Sequence, residues 1–122
     1  MHPQIETIDM YIYIIECSDH SLYTGIAKNI VERLKDHYLH RSACAKYTRS
    51  HPMRHIRAIW LASDKITACQ LEYRIKRLTR HQKDALIADP VLVELLPCNG
   101  TATPLSAEEL IQVFKSVTGS DI

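Results

Sequence analysis

Tyr23-Thr24-Gly25, followed by Asn29, Arg33 and His37 at four-residue steps, is the stretch of this chain best suited to chemistry. It runs from a strand end onto a helix, where positions four apart lie one above another. An arginine and a histidine stacked beyond a strand tyrosine are groups that can hold phosphate and move protons. Ile30, Leu34 and Tyr38 make the adjacent apolar stripe, which sets the polar row along the rim of a buried face. A plainer account makes Asn29 a helix cap, lets Arg33 snorkel and leaves His37 as a satisfied boundary histidine. Glu72 sits at a second rim, beside the predicted core stripe Ala68, Leu71, Ile75 and Leu78. Its simpler use is an i,i+4 pair with Lys76.

Tyr11-Ile12-Tyr13-Ile14-Ile15-Glu16-Cys17 is aromatic and β-branched and reads as a strand. The turn Ser18-Asp19-His20 and a second strand from Ser21 to Gly25 complete a hairpin. A three-residue loop sets Tyr13 opposite Gly25 and Ile15 opposite Tyr23, with both tyrosines on one face. Gly25 marks a sharp turn into a helix from about Asn29 to His40. The segment from Arg41 to Arg54 loses periodicity and embeds Lys46-Tyr47-Thr48-Arg49, which suits a loop that grips a backbone and stacks on a base.

Ile56 to Ala62 reads as a third strand, and Ser63-Asp64 starts a helix reaching about Leu78. Thr79 with Gln82, and Ser106 with Glu109, are capping boxes that begin two further helices. The first ends before Pro90, and Gly119 stops the second. Pro97 to Pro104 reads as a turn-rich connector. The final helix repeats Leu110, Val113, Phe114 and Val117 on one side, which must cover either its own domain, a second copy or a protein partner. The expected division is a domain at residues 1–96, then a linker and C-terminal helix at 97–122.

With 122 residues, 46% hydrophobic and 24% charged, the composition suits one globular domain. No apolar run approaches the roughly 18 to 20 residues of a spanning helix, and the first residues lack the features of a signal peptide. The expected location is therefore the cytoplasm, with no membrane association. Cys17, Cys44, Cys69 and Cys98 are scattered without a Cys-x-x-Cys pair and read as reduced packing residues. His37, His40 and Cys44 have no second ligand pair at a zinc-finger spacing. The net charge of +1 conceals a segregation: residues 1–25 sum to −4, residues 84–122 to −5, and residues 26–83 hold fourteen Lys or Arg against four acids. A middle segment at +10 suggests a polyanionic partner, because phosphate neutralisation and counterion release dominate affinity for nucleic acid.

In these motifs the chain resembles the GIY-YIG nuclease superfamily, and within it the small stand-alone bacterial proteins of the YhbQ type. Tyr11-Ile12-Tyr13 stands at the first motif and Tyr23-Thr24-Gly25 at the second. The resemblance covers about residues 10 to 90. It implies that Tyr13 and Tyr23 are the active-site tyrosines, Arg33 the helix arginine and Glu72 the metal-binding glutamate, with His37 where relatives carry His or Tyr. Lys46-Tyr47-Thr48-Arg49 and Ile75-Lys76-Arg77-Leu78-Thr79-Arg80 look like local signatures of the same subgroup. Tyr11 replaces the first glycine of the family name, and the asparagine of the last motif has no convincing counterpart, Asn99 lying in a turn.

The resemblance implies an α+β fold, a three-stranded antiparallel sheet flanked by helices, here with an extra C-terminal helix. It also implies hydrolysis of DNA phosphodiesters with one Mg²⁺ or Mn²⁺. A lone Glu72 suffices for such an ion, because Mg²⁺ is commonly held by one or two carboxylates together with phosphate and water. The Arg33 fork fits a phosphate, and Tyr13 or Tyr23 would orient or deprotonate the attacking water. An ordinary tyrosine with a pKa of about 10 needs help as a base, which His37 could give by relaying the proton, with Lys28 or Lys76 adding positive field. Lys28, Lys46, Tyr47, Arg49 and Lys76 are the expected DNA contacts. The alternative is a DNA-binding module of the same fold with little cleavage of its own.

Overall fold

The computed structural model describes residues 9–41 and 51–119. Its centre is an antiparallel sheet of four strands in the order β2-β1-β3-β4. These are β1 (Met10–Cys17), β2 (Leu22–Ala27), β3 (Met53–Ala62) and β4 (Ala102–Pro104). The helices are α1 (Ile30–Tyr38), α2 (Lys65–Lys76), α3 (Arg80–Ala88) and α4 (Ala107–Thr118), with a 3-10 helix at Pro90–Leu95.

β1 is central and buried on both faces, which explains why Tyr11 to Cys17 reads as an almost unbroken apolar run. Ile12 and Ile14 join Trp60, Ala68, Leu71 and Ile75 in one layer of core, against α2, α3 and the 3-10 helix. Tyr13 and Ile15 point the other way, into a second layer with Ile30 and Leu34 of α1 and Val117 of α4. Trp60 is fully buried, and its indole N–H donates to the Pro90 carbonyl at 2.9 Å, which pins the 3-10 helix to the sheet. The hairpin register pairs Tyr13 with Gly25 and Ile15 with Tyr23, as the three-residue turn requires.

The expected three-stranded sheet needs correction, because the supposed connector supplies β4 at its edge. Ala-Thr-Pro is too short to show alternation, and a proline is tolerated on an edge strand, where its missing N–H breaks no ladder. The loop before β4 is bonded onto the start of α2. Gly100 N–H donates to Thr67 Oγ1 at 2.8 Å, Thr101 N–H to Ser63 Oγ at 3.0 Å, and Ser63 N–H to the Thr101 carbonyl at 2.8 Å. A Cβ at Gly100 would lie 2.9 Å from Asp64 Oδ2, so glycine allows this close approach.

The helix caps form as their residues dictate. Asp64 caps α2, and the Thr79 and Ser106 boxes are complete on α3 and α4. Gly119 adopts φ 75° at the end of α4. The apolar side of α4 is turned onto its own domain, with Val117 buried and Leu110 and Val113 packed against the Tyr13 layer. Among the described residues, no helix is long and apolar enough to cross a membrane.

Candidate active site

The site straddles the free edge strand β2, with α1 on one sheet face and α2 on the other. Asn29 takes the plainer of its two expected roles. Its side chain accepts from Glu32 N–H at 3.2 Å as the cap of α1, which fixes where the helix begins.

From that start the inward positions of α1 are Ile30, Leu34 and His37. The rim expected for His37 is thus corrected. His37 takes the core position expected of Tyr38, which is exposed, because steps of four then three hold the helix face on the sheet. His37 has no exposed surface, and the Tyr13 hydroxyl lies 2.7 Å from its Nε2. The rings of Tyr13, Tyr23 and His37 form a triangle with centroid separations of 6.4, 5.6 and 5.4 Å.

Gly25 completes this packing. A Cβ there would fall 2.6 Å from Tyr13 Cζ, so the second motif requires glycine for the ring that crosses it rather than for a special backbone angle. Arg33 stands one turn before His37, partly exposed, close enough to Tyr13 to act on its hydroxyl and 3.7 Å from Asp36. Asp36 is a site neighbour that the sequence reading missed, although its i,i+3 spacing from Arg33 was available as a signal.

Burial governs the protonation of the pair. It pushes the Tyr13 hydroxyl well above the ordinary tyrosine range, with Tyr23 adding to the rise and Arg33 opposing it. The positive field of Arg33 alone therefore does not turn Tyr13 into a phenolate. Burial, helped by Arg33, pushes His37 down to about 4, so near neutrality it is uncharged and can accept the Tyr13 proton at Nε2.

The low value for His37 has a stability consequence. With a folded pKa of about 4 against an ordinary 6.5, the unfolded chain binds more protons in the interval between, so stability falls as pH drops through it. Above the ordinary value the effect is absent, and below about pH 4 it is complete, on the order of 3 kcal/mol. Urea midpoints of wild type should fall more steeply between pH 7 and 4 than those of His37→Gln. Parallel curves would show that His37 does not carry this acid sensitivity.

Glu72 and Lys76 come from α2 on the other side of β2. They pair at 3.3 Å, and Lys76 Nζ also lies 5.7 Å from the Tyr23 ring centroid, which carries α2 charge round the sheet edge. Glu72 is close enough to add to the rise of Tyr13. Tyr13, Tyr23, Arg33, His37, Glu72 and Lys76 thus surround one region, enclosed at Tyr13 and His37 and open at Arg33, Glu72 and Lys76.

Lys28 is exposed in the link before α1, beside Tyr11 and Asn29. Lys46, Tyr47 and Arg49 lie outside the described residues, as does Cys44. Among the described residues Cys17, Cys69 and Cys98 are free thiols, and Cys69 is exposed rather than packed. Asn99 is held away from the tyrosines, its N–H donating to Gln70 Oε1 at 2.7 Å.

No group of three or more His, Cys, Asp or Glu side chains among the described residues forms a ready metal cage. Glu72 instead offers one partly exposed carboxylate with an ammonium already against it. Once Lys76 has moved off it, that single carboxylate fits a cation held jointly with a substrate's phosphate.

A hairpin presenting two tyrosines, an arginine helix on one face and a glutamate helix on the other define the class: the chain belongs to the GIY-YIG catalytic domain family, whose model matches residues 9–84. Its relatives are more particularly UPF0213 proteins. The one designated FN1575 from Fusobacterium nucleatum is 36% identical over 80 residues, covering 66% of this chain and 78% of the relative. CPE1444 from Clostridium perfringens is 40% identical over 85 residues, covering 69% and 88%. A solution NMR structure of the UPF0213 protein BH0048 from Bacillus halodurans is 36% identical, covers 70% of this chain and 93% of the other, and superposes with a TM-score of 0.44. The family match ends before the 3-10 helix, β4 and α4.

Proposed function

We propose that this protein is a Mg²⁺- or Mn²⁺-dependent endonuclease that hydrolyses DNA phosphodiester bonds, with a place in repair or recombination. The observation that carries the reading is the buried Tyr13–His37 hydrogen bond beside Arg33, with Glu72 and Lys76 across β2. Membership of the GIY-YIG catalytic domain family supports nuclease chemistry.

Arg33, the open member of the α1 group, receives the phosphate in its planar fork and offsets the charge that grows on the phosphoryl oxygens. Tyr13, enclosed and beside Arg33, backs that fork from the core side. Tyr23 is the more accessible tyrosine and orients the attacking water. A proton passed from water to a tyrosine oxygen needs an outlet, and neutral His37 provides one through Tyr13.

Glu72 would hold the Mg²⁺ or Mn²⁺, releasing Lys76 to the DNA backbone, and the ion would supply Lewis-acid polarisation of the phosphoryl oxygen. Lys28, Lys46, Tyr47 and Arg49 extend the proposed DNA contacts. The rival reading, a DNA-binding module with weak cleavage, draws support from the position of Asn99, which leaves the family's last motif without a counterpart in the site.

Cleavage of labelled single-stranded, nicked, branched and blunt DNA with Mg²⁺ or Mn²⁺ separates the two. His37→Ala should lower kcat by about a hundredfold and change the pH–rate profile. An unchanged profile removes His37 from the proton path, and binding without cleavage of any substrate favours the module.

A further inference from the structure

Once Ala68, Leu71 and Ile75 are buried, the flank of α2 nearest β2 carries Glu72 and Lys76. Further round the helix toward solvent, beyond the exposed Cys69, comes Tyr73, about 60° past Lys76 at ~100° per residue. Tyr73 is 56% exposed, and the Arg77 guanidinium lies 5.0 Å from its ring centroid. Ile66, one heptad earlier on the same side, is 61% exposed. Packing explains neither side chain, since the core of α2 faces the sheet.

The surroundings are strongly cationic. Residues 64–84 contain Lys65, Arg74, Lys76, Arg77, Arg80 and Lys83 against Asp64, Glu72 and Asp84; Arg80 is taken up by Asp84, which leaves Arg74 and Arg77 beside Tyr73. An exposed aromatic ring braced by a guanidinium in a positive field suits a nucleobase, whose face stacks on the ring while the cations meet its phosphates. The surface is also continuous with the candidate active site through Lys76, which touches both Glu72 and the Tyr23 ring. A strand leaving Arg33 and Glu72 across Lys76 arrives at Tyr73.

We propose that Tyr73, braced by Arg77, is a stacking platform for an unpaired base of the DNA strand beside the scissile phosphate, which gives the protein a preference for DNA with single-stranded segments. This rests on the DNA reading of the site given above. Because the platform lies outside the reacting groups, it acts on binding and substrate choice.

The test is fluorescence anisotropy in EDTA at fixed salt, with labelled single strands, splayed duplexes and blunt duplexes. Wild type, Tyr73→Ala, Tyr73→Phe and Arg77→Ala are compared after circular dichroism has shown equal melting. Tyr73→Ala should bind the single strands and splayed duplexes about tenfold more weakly and blunt duplex within about twofold of wild type, while Tyr73→Phe retains wild-type affinity. One abasic position should reproduce the loss in wild type and cost Tyr73→Ala nothing more. Tyr73→Ala binding every DNA like wild type would overturn the platform alone and leave this face to a protein partner. Equal losses on blunt and unpaired DNA would also overturn it. Wild type binding no DNA at all would remove both the platform and the nuclease reading beneath it.

Discussion

Arg33→Ala is expected to lower the rate of DNA cleavage by about a thousandfold while leaving the fold intact. Arg33 is partly exposed on α1, so its removal opens no core cavity. What disappears is a guanidinium set beside the enclosed Tyr13 and paired with Asp36 at 3.7 Å. Preorganised donors of this kind matter most when charge develops on the reacting centre, so the loss should fall on kcat more than on KM. Arg33→Lys should recover little, because an ammonium keeps the charge but not the planar fork. Glu72→Gln should produce a loss of similar size through the metal, and raising the Mn²⁺ concentration should not restore it. Single-turnover cleavage of one labelled substrate by all four proteins is the measurement. Activity that persisted equally in every variant would come from a contaminating nuclease and would end the assignment.

Gly25→Ala should damage both stability and activity. The added methyl would lie 2.6 Å from Tyr13 Cζ, and Tyr13 cannot retreat, because it is 1% exposed and bonded to His37. Overpacking of an enclosed site costs about 1–3 kcal/mol, and the displaced hydroxyl should disturb His37 and the Arg33 side chain beside it. A misplacement of about 1 Å at a reacting centre can cost about a hundredfold in rate. Urea unfolding followed by circular dichroism, with cleavage assayed on the same preparation, checks both effects. An alanine variant as stable and as active as wild type would mean that the ring does not cross Gly25 as described.

The hairpin and helix boundaries were readable because each has a local chemical cause. Asn29, Asp64, Thr79 and Ser106 satisfy helix N–H groups wherever the tertiary fold sends them, and the turn at Ser18 to His20 sets the strand register. β4 was not readable. Its place depends on Gly100, Thr101 and Ser63 finding one another across 38 residues, and no local period signals that.

In the site, types and spacings located the α1 row but misjudged its rotation. Steps of four and four through Ile30, Leu34 and Tyr38 look apolar throughout, but they drift off the face that steps of four then three keep on the sheet, where the Tyr13 hydroxyl meets His37. The upward push on Tyr13 and the downward push on His37 come from burial and from side chains on other elements, so neither follows from spacing.

Trp60 is the chain's single tryptophan, and it is sealed in the layer facing α2, α3 and the 3-10 helix, away from the tyrosine face. Its emission is consequently a built-in optical gauge of that hidden layer: it should redden when Pro90 lets go of the indole and stay steady while nucleic acid is titrated onto the outer surface, since α2 and the sheet lie between the indole and solvent.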